Sequence, residues 1–182
     1  MPKLYLDPGH GGHDPGAVGN GLEEKDVTLD ISLRLRDILE GYDVDIRMSR
    51  TTDEFKSLDF RTDDANSWGA DFFVSVHINA GGGTGFESFH HPAAPDHTIS
   101  EHGILHPKIL DGMRTVADIT DRGKKSFDFH VLRETTMSAI LTENLFIDTE
   151  ADADLLKDAD FLNAAAQGHA DGLVEILGLQ SS

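Results

Sequence analysis

The segment Asp71–His77, DFFVSVH, constrains the fold of this chain more than any other. It is almost continuously apolar, aromatic and β-branched, without the alternation that marks a strand with one wet face. Such a strand is buried on both sides, which requires a sheet covered by helices above and below. The flanking sequence supplies the rest of that sheet. Lys3–Asp7 reads as a short strand stopped by Pro8 and Gly9, and Tyr42–Met48 alternates through Val44, Ile46 and Met48. Gly85–His90, Phe129–Leu132 and Ala139–Leu145 read as further strands, and the glycines Gly81–Gly83 as a turn.

Helical spacing fills the intervals. Between Lys25 and Leu39 it places Val27, Ile31, Leu35 and Ile38 on one face, and Gly41 follows as a stop. Leu58–Trp68 reads as a second helix closed by Gly69. A third pattern runs from Thr98 to about Thr120 through Leu105, Ile109 and Met113, where Pro107 predicts a break or a restart. Asp158–Leu177 is a terminal amphipathic helix using Phe161, Leu162, Ala165, Leu173 and Ile176. Strands alternating with helices predict the α/β class, with a mostly parallel sheet flanked by helices on both faces. There is no internal repeat and no low-complexity linker. A single domain is therefore expected over residues 1–179, with 180–182 as a tail or linker stub.

Composition narrows the chemistry. A chain of 182 residues can bury roughly 70% of the surface its unfolded form exposes, so it needs no covalent staples. With no cysteine it has no disulfide, no thiolate metal site and no cysteine nucleophile, and any metal falls to His, Asp and Glu. A net charge of −18, from 33 acidic against 15 basic residues, repels phosphate backbones and anionic membranes, so neither is an expected partner. The opening MPKLYLDPGHGG enters a strand at once, without the leader expected of a signal peptide. No apolar run approaches the roughly 20 residues of a membrane span. A monomer is the default expectation.

In open α/β sheets, ligands bind beyond the carboxyl ends of the strands. His10 follows the first strand, His77 ends DFFVSVH, and Glu143 ends the AILT strand. The acidic pair Glu23–Glu24 stands immediately before the first helix, at the same end of the sheet. Two imidazoles and one carboxylate suit zinc with an open position for water, whose pKa the metal lowers to about 7. The remaining carboxylate, Glu143, would take a proton from that water and pass it to the leaving group. Each residue also has a plainer reading. A histidine at a strand end is commonly hydrogen-bonded structure, and a glutamate before a helix is favoured by the helix dipole. Glu143 could be half of a buried ion pair. The glycine loop DPGHGGHDPGAVGNG could be turn chemistry or a phosphate cradle, although it holds neither GxxxxGK[ST] nor GxGxxG. Spacing alone does not decide between Glu23 and Glu24.

Taken together, DPGHGGHDPGAVGNGLEEKDVTLDI resembles the signature of the zinc-dependent N-acetylmuramoyl-L-alanine amidases, the type-3 amidase domain. The resemblance continues through RMSRTTDE, RTDDANSWGADFFVSVHINA, GFES and AILTENLFIDTEADADLL, so it covers essentially the whole chain in order. It implies a six-stranded sheet and hydrolysis of the amide between the lactyl group of N-acetylmuramic acid and the L-alanine of the peptidoglycan stem peptide. It implies one zinc ion per chain, held by His10, Glu24 and His77, with Glu143 as the catalytic glutamate, and so selects Glu24 over Glu23. Asn79 is expected to touch substrate or orient its loop, and Glu87 of GFES to lie near the cleft, in contact with substrate or in support. Arg61 and Asn66 match the family's R…AN helix and are expected to brace the sheet and loops. His13 is expected at the surface. His90, His91, His97, His102, His106, His130 and His169 are assigned to surface or core.

The expected partner is bacterial peptidoglycan and the place of action the cell wall. Members of this family often carry a wall-binding domain or a signal peptide. Finding neither suggests a phage endolysin, a host enzyme released at lysis, or an excised domain. Two rival readings are a zinc peptidase cutting within the stem peptide and a non-catalytic peptidoglycan-binding domain of the same fold.

Overall fold

The computed structural model describes Met1–Ser182 throughout. Its elements are β1 (Lys3–Pro8), β2 (Val18–Gly19), β3 (Leu22–Glu23), α1 (Glu24–Leu39), β4 (Asp45–Met48), α2 (Leu58–Trp68), β5 (Phe72–Asn79), β6 (Phe86–His90), α3 (Asp96–Met113), β7 (Asp121–Ser126), α4 (His130–Arg133), β8 (Ser138–Phe146), α5 (Glu150–Leu156) and α6 (Ala159–Leu177). Six strands form one sheet in the order β4-β1-β5-β8-β6-β7, while β2 and β3 make a separate small hairpin. All neighbours in the large sheet are parallel except β6 and β8. The DFFVSVH segment occupies the interior, between β1 and β8, as its double-sided apolar character requires.

The two faces of the sheet are unequally covered. On one, Leu4, Leu6, Val74, Val76 and Ile140 pack against α1, α3 and α6 in a cluster of 27 buried residues. On the other, Tyr5, Phe73, Ala139 and Leu141 join Ala65 of α2, Ala70, and Val131 and Leu132 of α4 in a cluster of eight, edged by the partly buried Trp68, Phe89, Phe129 and Met137. The short α4 covers only part of this face, and His130 and Val131 line a cavity together with His77. A cleft is left there, on the thinly covered face.

Three expectations are corrected. Phe129–Leu132 is not a strand: His130–Arg133 is a single helical turn. Val131 and Leu132 are buried, and a single turn of helix covers the thin face there in place of a strand. The strand at that edge is β7, DRGKKS, in which nearly every residue is exposed. It is defined by pairing with β6 and carries no hydrophobic pattern. The third helix spans Asp96–Met113, shorter than the Thr98–Thr120 pattern, and passes through Pro107 without interruption. Burial of Leu105, Ile109, Leu110 and Met113 outweighs the roughly 3 kcal/mol that an interior proline costs.

Several histidines prove to be structural. His102, His106 and His169 are buried. His106 donates from Nε2 to Asp121 Oδ1 at 2.8 Å, because a carboxylate can only accept, and its Nδ1 then accepts from the Ser88 hydroxyl at 2.6 Å. Ser88 in turn accepts from His102 Nε2 at 2.6 Å, and His102 Nδ1 accepts from His90 Nδ1 at 2.8 Å. Every donor in this row is matched with all three imidazoles neutral. The row ties β6, α3 and β7 together. Burial, with His90, His106 and Lys124 adding, holds His102 down at about 3, and burial holds His169 at about 4.

These depressed values fix a sign. Both groups stay neutral in the fold and take up a proton on unfolding, so their contribution is present above about pH 6.5 and is lost as pH falls toward their folded values. Urea titrations at pH 6.5 and pH 5 are expected to show a loss of about 2 kcal/mol for each of the two histidines.

Candidate metal centre and catalytic carboxylate

The site assembles where β1 and β5 end and α1 begins. After β1, the chain turns through His10, which adopts the left-handed conformation at φ 65°, uncommon for a residue with a side chain. Two glycines make the packing possible. A Cβ on Gly9 would lie 2.5 to 2.8 Å from three atoms of the His77 ring, and one on Gly16 would lie 2.7 Å from Glu24 Oε1. Glu24, the first residue of α1, directs its carboxylate between the two imidazoles. Its Oε1 is 3.2 Å from His10 Nε2 and its Oε2 is 3.3 Å from His77 Nδ1. The same oxygens accept from the backbone N–H groups of Ala17 at 3.0 Å and Ile78 at 2.9 Å. One ligand atom from each of His10, Glu24 and His77 lies within 4.8 Å of the other two.

The opposite ring nitrogens are engaged, and this defines which atoms face the carboxylate. His10 Nδ1 donates to Asp14 Oδ2 at 2.9 Å, leaving Nε2 as the presented atom. His77 Nε2 donates to Ser75 Oγ at 3.0 Å, leaving Nδ1, while Ser75 donates to Asp7 Oδ2 at 2.7 Å. Asp7 Oδ1 accepts from Ser49 at 2.7 Å and from Arg61 Nη1 at 2.8 Å. Arg61 also holds the carbonyls of Pro8 and His10, at 2.6 and 2.8 Å. Orienting hydrogen bonds of this kind raise the basicity of a metal-ligating histidine and fix its ring. Burial alone would raise the Glu24 pKa, but hydrogen bonds from His10 and His77 hold it well below the usual range. Burial would lower His10, yet Glu24 and Asp14 push it up to about 9.

Glu143 lies beside this set. On β8 it pairs in register with His77, after which the register shifts and Leu145 takes a left-handed φ of 68°. Its Oε2 is buried without a hydrogen-bond partner. Burial pushes the carboxyl up to about 7, the charges of Glu24 and Glu87 add, and His77 opposes. Across the β6–β8 pairing Glu87 stands opposite Glu143. Its Oε1 accepts from Asn79 Nδ2 at 3.0 Å, and its Oε2 accepts from Lys125 Nζ at 2.6 Å and Arg122 Nε at 2.8 Å. Burial would raise Glu87, but these three donors keep its carboxyl low. A cavity of about 280 Å³ opens beside His10 and His77, with Phe55, Leu58, Phe129 and Val131 among its walls.

All six residues singled out in the sequence therefore converge. Arg61 braces the loop as expected, and Asn66 holds the Glu134 carbonyl at 2.8 Å and the Thr136 N–H at 2.9 Å. His13 is exposed, its ring 4.2 Å from that of Phe55. Asp14, Ser75, Arg122 and Lys125 are additional polar contacts that sequence reasoning missed. Ser75 had a usable signal, since two residues before His77 on a strand puts it on the same face. Arg122 and Lys125 had none, because their strand was not legible.

Comparison with known proteins places this geometry. A sequence profile described as N-acetylmuramoyl-L-alanine amidase matches residues 4–175. The sporulation-specific N-acetylmuramoyl-L-alanine amidase of Bacillus subtilis strain 168 is 50% identical across 100% of this chain and 71% of its own length. The endolysin of Bacillus phage SPP1 is 46% identical across 99% of this chain and 68% of its own. The solved catalytic domain of CwlV, an N-acetylmuramoyl-L-alanine amidase from Bacillus (Paenibacillus) polymyxa var. colistinus, superposes with a TM-score of 0.92 at 32% identity, covering 99% of this chain and 100% of that one.

Two outcomes follow from the geometry. Ser75→Ala removes the acceptor of His77 Nε2 and, if His10, Glu24 and His77 hold a metal, is expected to weaken its affinity roughly 10- to 100-fold, measured by chelator competition. The raised pKa of Glu143 means that its contribution to stability is complete below about pH 4.5 and is lost as pH rises through about 7. In chelator, Glu143→Gln is expected to gain on the parent protein across that window, by up to about 3 kcal/mol in thermal or urea unfolding.

Proposed function

Because the chain belongs to the N-acetylmuramoyl-L-alanine amidase family, we propose that it is a zinc hydrolase that cleaves peptidoglycan at the amide joining the lactyl group of N-acetylmuramic acid to L-alanine. The observation that carries this reading is the convergence of His10, Glu24 and His77 next to a buried, unpartnered carboxylate oxygen of Glu143. The catalytic unit is residues 1–179. The tail 180–182 follows, with Gln180 accepting from the Asp43 N–H and the Ser182 N–H reaching the Gly41 carbonyl. Action on the cell wall, in lysis or turnover, fits the named relatives, which include an endolysin. No helix is long and apolar enough to cross a membrane.

His10 Nε2, His77 Nδ1 and a Glu24 oxygen are the atoms that would hold the metal, one zinc per chain. The donor set fits: two imidazole nitrogens and one carboxylate suit zinc, whereas magnesium and calcium take oxygen ligands. When bound, zinc supplies Lewis acidity that makes water a better nucleophile and polarises the scissile carbonyl. The protein groups do the rest. Ionised Glu143 accepts a proton through its free Oε2 as water adds to the carbonyl. It then returns that proton to the L-alanine nitrogen, so the peptide leaves as a neutral amine. A carboxyl poised at about 7 can serve in both directions near neutral pH. Glu87, kept ionised by Lys125 and Arg122, helps hold Glu143 at that value and orients Asn79 toward the cleft.

Replacing Glu143 by Gln is expected to leave fold and zinc content intact while turnover falls about 10²- to 10⁴-fold. A turbidity assay on purified walls, with and without chelator, reads the loss. Mass spectrometry of the parent digest should show intact stem peptides beginning with a free L-alanine amine. New amino termini inside the stem would make the chain a peptidase, and pelleting with walls that never clear would make it a binding module.

A further inference from the structure

The groups at the strand ends lie in one row that follows the order of the sheet. His10 follows β1, His77 lies on β5, Glu143 on β8, Glu87 on β6, and Arg122 and Lys125 on β7. The row is chemically polarised. The metal-side imidazoles stand at one end and a pair of cations at the other, with the acid–base carboxylate between them. On the amide-hydrolysis reading, on which this inference rests, the leaving nitrogen must face Glu143. The departing peptide then extends from β8 toward β6 and β7, and the sugar lies on the opposite side of the imidazoles.

Charge and hydrogen-bonding capacity on the two sides agree with that direction. Three of the 15 basic residues in a chain of net charge −18 fall within the six-residue β7. Arg122 and Lys125 both contact the same oxygen of Glu87, so two cations face one carboxylate and positive charge is left over. Arg122 spends only Nε on Glu87, and its guanidinium lies 4.8 Å over the Phe146 ring. Neither terminal nitrogen of that guanidinium has a hydrogen-bond partner in the protein. That is the fork that grips a carboxylate with two parallel bonds. Lys125 is 41% exposed along its side chain and so is accessible from solvent. The cavity beside His10 and His77 is separate from this charged end: Phe55, Leu58, Phe129 and Val131 wall it together with Lys56 and His130, and none of Glu143, Glu87, Arg122 or Lys125 is among its lining.

We infer that Arg122 and Lys125 form a subsite for carboxylates of the stem peptide, so that substrate crosses the sheet in one direction, with its acidic peptide over β6 and β7 and its glycan toward the cavity beside His10 and His77. A purely structural role, neutralising Glu87, would require only one cation. It would also make no distinction between substrates that differ at a remote carboxylate.

The test uses two soluble N-acetylmuramoyl-L-alanyl peptides that are identical except that the second residue carries a free carboxylate in one and its amide in the other. The parent enzyme is expected to prefer the free acid roughly tenfold or more in kcat/KM, the ordinary worth of a hydrogen bond to a charged group. In Arg122→Ala/Lys125→Ala that ratio is expected to fall to about one, mainly through KM for the acid. Lys125→Met alone, altered at an exposed side chain, should lower the ratio part of the way and covers the case in which the double variant does not fold. Added salt should erode the preference in the parent enzyme. A parent enzyme without preference, or variants in which both substrates fall by the same factor, would overturn the subsite while leaving the amidase reading in place. Failure to cleave either peptide at the muramoyl amide would remove that reading, and the subsite with it.

Discussion

The site depends on the buried pair of Asp7 and Arg61. A single carboxylate inside the sheet accepts from Ser49 after β4, from Ser75 on β5 and from Arg61 on α2. Burial would raise Asp7, yet Arg61 and the two hydroxyls hold it low. An uncompensated charge at that depth would be costly, of the order of 3–5 kcal/mol when one partner of such a pair is lost. Here the cost is met by a full set of partners, and two of the three have a second task. Ser75 carries the orientation to His77, and Arg61 pins the carbonyls of Pro8 and His10. The left-handed His10 and the direction of the His77 ring are thus both referred to one fixed point.

Around that point three glutamates of the same chemical type are set to different values by their surroundings. Glu24 is held ionised by two imidazoles, and Glu87 by a lysine and an arginine. Glu143 has no cation bonded to it and one bare oxygen, and burial brings it near neutrality. Separated titration of like groups lets one cleft hold both a permanent anion and a carboxyl that changes protonation near neutral pH. The thin cover on this face of the sheet leaves the cleft open, whereas the three helices on the other face supply most of the core.

Much of this was legible in the sequence because it follows from apolar pattern. The central strand DFFVSVH, the helices Glu24–Leu39 and Ala159–Leu177, and the placement of His10, Glu24, His77 and Glu143 at one rim all rest on burial or strand ends. What escaped was polar or conditional. β7 is a strand by hydrogen bonding alone, so DRGKKS gave no periodic signal, and the apolar Phe129–Leu132 drew the assignment instead. Pro107 carried a correct local penalty that the packing of α3 overrode. The choice between Glu23 and Glu24 came from family resemblance, and in the fold it is α1 that turns Glu24 inward while Glu23 leans toward Lys25 at 3.6 Å.

The row of histidines ending at Asp121 gives β7 an unusual status. This outer strand has almost no apolar side chain to seat it, and it is held by backbone pairing to β6 and by the grip of buried His106 on its first residue. Beyond Asp121, Arg122 lies over the Phe146 ring and Arg122 and Lys125 bond Glu87, while Lys124 and Ser126 face solvent. Exchanging the two exposed positions leaves the apolar core untouched. The fold thereby separates the part that must be inherited intact from a margin that packs little, and a lineage facing walls of different chemistry can retune its reach by rewriting a few codons at that edge, with the left-handed Gly123 kept.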